Sequence, residues 1–137
     1  MIYLKDSKIK IGGTGETVKV FRDLWMLEDA YERDREHFYV MHLDTHSRVR
    51  SVEVVSVGTL TSSIVHPRET FRRAIVEGAA SIIIAHNHPS GEVDPSDEDV
   101  TVTKRMHEAG ELLGITMLDH IIFSSEGYFS FRANQKY

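Results

Sequence analysis

The stretch Ser81-Ile82-Ile83-Ile84-Ala85-His86-Asn87-His88-Pro89-Ser90-Gly91 is an apolar run that ends abruptly in polar chemistry. Ile82 to Ile84 are β-branched, flanked by alanines and too few for a helix of their own, so they predict a strand buried on both faces. His86 and His88 stand at its exit. Side chains alternate along an extended chain, so residues at i and i+2 project to one side and the two imidazoles converge. Pro89-Ser90-Gly91 then turns the chain, and Pro95-Ser96 opens a helix whose first turn carries Asp97, Glu98 and Asp99. A third, harder metal ligand is therefore close to the imidazole pair.

Working back toward the N-terminus, Pro67 after His66 predicts a helix start, Phe71, Ala74 and Ile75 give that helix an apolar face, and Gly78 stops it. Residues 58–63 read as a loop. Residues 48–57 alternate valines with polar side chains and predict a strand hairpinned to the aromatic-rich strand 38–43 through Asp44-Thr45-His46-Ser47. Leu24, Leu27, Ala30 and Tyr31 recur at helical spacing over 23–35, with Asp23 as the expected N-cap. Gly12-Gly13-Thr14-Gly15 separates two β-like runs, 9–11 and 18–21, and predicts a hairpin. A phosphate-binding loop would need a closing Gly-Lys-Ser or Gly-Lys-Thr, which is missing there.

On the C-terminal side, Val102, Met106, Ala109 and Leu113 line one face of the helix that Ser96 opens and Gly114 ends. Strands 115–123 and 128–131 follow, joined at Glu126-Gly127. The predicted order β-α-β-β-α-β-α-β-β describes a single-domain α/β fold, a sheet of hairpins and crossovers with helices on both sides. Residues 1–22 are set apart as an N-terminal extension, and 23–137 form the domain.

Composition narrows the chemistry. The 137 residues can bury a core without covalent staples, and with no cysteine there is no disulfide framework, no thiolate zinc site and no thiol nucleophile. That also excludes the zinc nucleobase deaminases, whose ligands include cysteines. A net charge of -5 offers no general attraction to nucleic acid. Neither a signal peptide nor a membrane span is expected, which makes the cytoplasm the expected address.

Written out, the pattern is His86-x-His88-x7-Ser96-x2-Asp99. Two imidazoles and a carboxylate leave zinc an open fourth position, the mark of a catalytic site. This spacing resembles the signature of the JAMM (MPN+) metalloproteases, and His86-Asn87-His88-Pro89-Ser90-Gly91 with Pro95-Ser96 resembles the RadC branch of that group. Gly58-Thr59-Leu60, His66-Pro67-Arg68-Glu69 and Leu118-Asp119-His120 look like further landmarks of the branch. The resemblance implies a JAB/MPN-like, largely antiparallel curved sheet. It implies zinc held by His86, His88 and Asp99, with Ser96 donating to the oxyanion. It also implies a catalytic glutamate on an earlier element, for which Glu36, just ahead of strand 38–43, is the first choice and Glu53 the reserve. The implied reaction is hydrolysis of a peptide or isopeptide bond, with a protein or peptide as partner.

Each residue also has a plain structural role available: His86 and His88 as hydrogen-bonded loop histidines, Ser96 as an N-cap, Asp99 as its capping-box partner. His120 beside Asp119 is a candidate to support the ligands from behind. The competing function is a DNA repair or recombination accessory that uses the domain as a zinc-bound interaction module. Longer members of the group add an N-terminal region resembling helix-hairpin-helix DNA-binding segments, and residues 1–22 do not resemble one.

Overall fold

The computed structural model describes residues 2–5, 9–58 and 65–134. Six strands form one sheet: β1 (Ile2–Lys5), β2 (His37–Leu43), β3 (Val49–Val57), β4 (Ser81–Asn87), β5 (Thr116–Phe123) and β6 (Tyr128–Ser130). Their spatial order is β1-β3-β2-β4-β5-β6, and only β4 with β5 is a parallel pair. A parallel neighbour requires a crossover. It is made by α5 (Asp97–Leu113).

Alternation along the strands explains why both faces are covered. Tyr39, Met41, Leu43, Ile83, Ala85 and Phe123 point to one side and pack against Val18, Phe21, Leu24 and Trp25 of α1 (Thr14–Met26). Phe38, Val40, Ile82, Ile84 and Met117 point to the other. They meet Phe71, Ala74 of α4 (Arg72–Glu77), and Val102 and Met106 of α5. All seven residues of β2 and of β4 are buried, as expected of central strands sandwiched between helices.

The expected hairpin over 9–21 does not form. Residues 18–21 lie inside α1, because Thr17, Val18, Phe21, Leu24 and Trp25 recur at helical spacing and are buried together. Lys10 makes only an isolated bridge to Arg48, and the strand that covers β3 is β1. The expected boundary at 22/23 therefore falls within a helix. The helix expected over 23–35 is likewise two elements, α1 and the short α2 (Ala30–Arg33), and its N-cap is Asp29 instead of Asp23. The helix from Pro67 is also divided, into α3 (Pro67–Thr70) and α4, with Phe71 between them. Gly78 and Gly114 end α4 and α5 in the left-handed conformation, at φ 67° and 73°, where a side chain would be strained. The expected loop 58–63 lies, apart from Gly58, outside the described residues. Among the described residues no helix is long and apolar enough to cross a membrane.

Candidate metal centre

The histidine pair sits where β4 leaves the sheet. His88 continues the strand by one residue, its N–H donating to the Phe123 carbonyl at 2.9 Å, so the alternation that aims His86 and His88 to one face is kept. Asp99 is brought to that face by the start of α5. The Ser96 hydroxyl accepts from the Asp99 N–H at 3.1 Å, and the Ser96 N–H donates to Asp99 Oδ2 at 2.9 Å, a reciprocal capping box. This cap fixes the carboxylate as well as the helix end.

The three donors then close on one another. His86 Nε2 lies 3.1 Å from His88 Nε2 and 3.2 Å from Asp99 Oδ1, and His88 Nε2 lies 3.3 Å from Asp99 Oδ2. Ligands at ~2.05 Å around a tetrahedral ion stand about 3.3 Å apart, so these side chains could hold a metal ion. Among the described residues, no other group of three or more His, Asp or Glu side chains has this convergence.

A hydrogen-bond relay sets which nitrogen faces the site. The Thr103 hydroxyl has one proton and gives it to the Asp99 backbone carbonyl at 2.6 Å, so at 2.6 Å from His120 Nδ1 it must accept. His120 Nε2 is then a bare lone pair, and at 2.9 Å it accepts the Nδ1–H of His86. His86 is left with its Nε2 lone pair toward the ligands. His88 is set the same way, its Nδ1–H donating to the Glu92 carbonyl at 2.8 Å. Such partners behind metal-binding imidazoles fix tautomer and ring orientation. His120 stacks on Phe131 at 4.8 Å between centroids and is 1% exposed.

The charges describe the same centre when its imidazoles carry a second proton, on Nε2, and donate it to Asp99. Burial disfavours ionised Asp99, yet hydrogen bonds from His86 and His88 outweigh it and hold the carboxyl far below its ordinary range. Burial likewise opposes protonated His88, but Asp99, the Glu92 carbonyl and the Glu36 carboxylate prevail and raise it. His120 is pushed well below the ordinary histidine value, first by burial and then by the charge on His86. It is a neutral relay.

The Glu36 field on His88 follows from register. Phe38 pairs with His86 across β2 and β4, and the same register carried two residues past Phe38, to the residue just ahead of β2, would set Glu36 opposite His88. Directly paired residues share a face. Glu53, the reserve glutamate, is elsewhere. It bonds Arg73 Nε at 2.9 Å and His42 Nε2 at 3.4 Å, in a network with Glu77 and Ser51 beneath α4. A cavity of about 520 Å³ lies over Glu53 and Arg73, away from the three ligands, whereas a groove of about 290 Å³ lined by Trp25, Arg33 and Ser124 runs up to His88.

Ser96 is exposed beside Asp99, its oxygen used by the cap. Among the described residues nothing takes its proton. Thr103 was not legible as a partner of the site, although its place four residues after Asp99 on the buried helix face is the available signal. Asn87 read only as a spacer between the histidines. Of the remaining histidines, His37 bonds the Arg35 carbonyl and His42 bonds Glu53, so neither joins the cluster.

A UPF0758 protein of Desulforamulus reducens is 50% identical over 108 residues, covering 79% of this chain and 48% of that protein. One from Rubrobacter xylanophilus is 57% identical over 99 residues, 72% of this chain and 43% of that protein. One from Methanosarcina mazei is 50% identical over 101 residues, 74% and 44% of the two chains. The chain thus spans about half the length of the curated relatives it matches. A family model described as "RadC-like JAB domain" matches residues 16–137, starting within α1 and taking in every element of the centre described above. With strands β2 to β6, the capping box and the His-His-Asp convergence inside the matched region, the chain belongs to the RadC-like JAB domain family.

Proposed function

We propose that this chain is a zinc-dependent metallohydrolase that cleaves a peptide or isopeptide bond in a protein or peptide partner. The observation that carries the reading is the convergence of His86 Nε2 and His88 Nε2, 3.1 Å apart, on the Asp99 carboxylate, whose Oδ1 lies 3.2 Å from the first and Oδ2 3.3 Å from the second, with both imidazole tautomers set by partners behind them. Zinc bound there would lower the pKa of a coordinated water toward ~7 and polarise the scissile carbonyl.

The remaining work falls to the chain's own side chains. Glu36, opposite His88, accepts a proton from the attacking water and returns it to the leaving nitrogen. The Ser96 hydroxyl, whose proton is not used by the cap, donates to the developing oxyanion and contributes on the order of 3 kcal/mol. The groove beside His88 receives the substrate chain, and Asp99, held far below its ordinary range, stays ionised throughout.

Two measurements test this. Zinc per chain, compared between wild type and His88→Ala, falls to near zero in the variant; equal content sinks the site. Chelator-sensitive cleavage from an isopeptide-linked peptide library, lost in Glu36→Gln with zinc retained, supports the reaction. Binding of duplex DNA that weakens with salt and ignores chelator, with no cleavage, would instead favour the repair accessory reading.

A further inference from the structure

Asn87 stands between the two histidine ligands, but alternation sends its side chain to the opposite face of the sheet, so it cannot join them. It is 0% exposed, and a buried amide must find partners for both its oxygen and its nitrogen. It finds them about fifty residues back in the sequence. Asn87 Oδ1 accepts the His37 N–H at 2.7 Å, and Asn87 Nδ2 donates to the Arg35 carbonyl at 3.0 Å and the Arg33 carbonyl at 3.4 Å.

These contacts bracket Glu36. The His37 N–H and the Glu36 carbonyl belong to one peptide plane, held by Asn87 at one end and by the Gly58 N–H, 2.8 Å from the Glu36 carbonyl, at the other. The Arg35 carbonyl belongs to the preceding plane. Because peptide units are planar, fixing the two planes on either side of Glu36 fixes its φ and ψ, and with them the direction of its Cα–Cβ bond. Three of these four contacts come from one side chain.

We infer that Asn87 is a positioning residue, which locks the backbone of Glu36 to the strand that carries His86 and His88, so that carboxylate and ligands move as one body. The inference rests on the reading of Glu36 as the proton acceptor. The residue between the ligands thereby does for the glutamate, from the opposite face of the sheet, what the capping box does for Asp99 on the ligand face. A displacement of about 1 Å at a reacting group costs on the order of 100-fold in rate, so such a lock matters.

Cobalt(II) bound to the full chain gives visible bands whose pH midpoint reports charge beside the ion, without any substrate. Glu36→Gln removes a nearby negative charge and lowers the midpoint by about one pH unit. Asn87→Ala lowers it by about half as much, and adds nothing in the Glu36→Gln background. Cobalt affinity within about threefold of wild type shows that the ligands are intact, and Asn87→Ser, read the same way, covers the case in which Asn87→Ala does not fold. Equal shifts by Asn87→Ala in both backgrounds, or no shift while Glu36→Gln shifts, overturn the role of Asn87 and leave that of Glu36 standing. An unmoved midpoint in Glu36→Gln removes Glu36 from the site and the inference with it.

Discussion

Replacing Thr103 with valine removes one oxygen from the relay behind His86 and changes almost nothing else. Thr103 is fully buried and makes two bonds of 2.6 Å, one accepting from His120 and one donating to the Asp99 carbonyl. Valine keeps the volume and the β-branching, so packing in the middle of α5 is preserved. The His120 N–H is left buried without an acceptor, at about 1–3 kcal/mol. For a chain of 137 residues that corresponds to a fall in Tm of roughly 3–10 °C for the metal-free protein. Freed from threonine, His120 can turn its proton toward His86, which then loses the tautomer that presents Nε2 to the ligands. Loss of such a supporting bond lowers metal affinity by about 10–100-fold. Calorimetry measures the first effect, chelator competition for zinc the second, and long-range proton–nitrogen NMR the tautomer of His86. A lowered Tm with zinc affinity within threefold and the His86 proton still on Nδ1 would refute the relay.

pH separates the metal-free from the zinc-bound protein. His88 is raised in the folded state, so its contribution is complete below ~6.5 and is lost as pH rises through the folded value, whereas the Asp99 contribution is present above ~4 and lost only in strong acid. The metal-free Tm therefore falls as pH rises above ~6.5, while zinc affinity rises over the same range, since ligation needs neutral imidazole. Gly110→Ala destabilises by roughly 1–3 kcal/mol in urea unfolding, because a Cβ there would stand 2.4 Å from the Ile115 carbonyl; a gain in stability, as helix propensity alone would give, refutes the clash. Glu53→Gln weakens the Arg73 and His42 network and lowers stability by about 1 kcal/mol, with zinc per chain unchanged; lost zinc would return Glu53 to the site.

Local chemistry made much of the centre readable in the chain. The β-branched run into His86 and His88, the Ser96 and Asp99 cap, and the glycine stops at Gly78 and Gly114 each follow from neighbours a few residues away, and each stands where its pattern placed it. The hairpin of strands 38–43 and 48–57 was legible for the same reason, although β2 and β3 carry two register shifts that alternation alone does not reveal. The first helix was misread because glycines suggested a turn while Val18 to Phe21 looked β-like; the longer spacing from Thr17 to Trp25 carried the helical signal. What stayed hidden is long-range. The β1 pairing with β3, the Thr103 and His120 relay and the Asn87 clamp join residues 17 to about 50 positions apart, and only the packed sheet chooses among such partners.

The parallel pairing of β4 with β5 also sets an order of events during synthesis. A nascent polypeptide ending near residue 114 already contains His86, His88, Asp99 and Thr103, but of the two neighbours of the Ile82–Ile84 run only β2 has been translated, and β5 has not. Until β5 emerges, His86 lacks its His120 partner and His88 lacks its tether at the Phe123 carbonyl. A chain that ends before β5 therefore lacks the two contacts, from His120 and from the Phe123 carbonyl, that orient the imidazole pair.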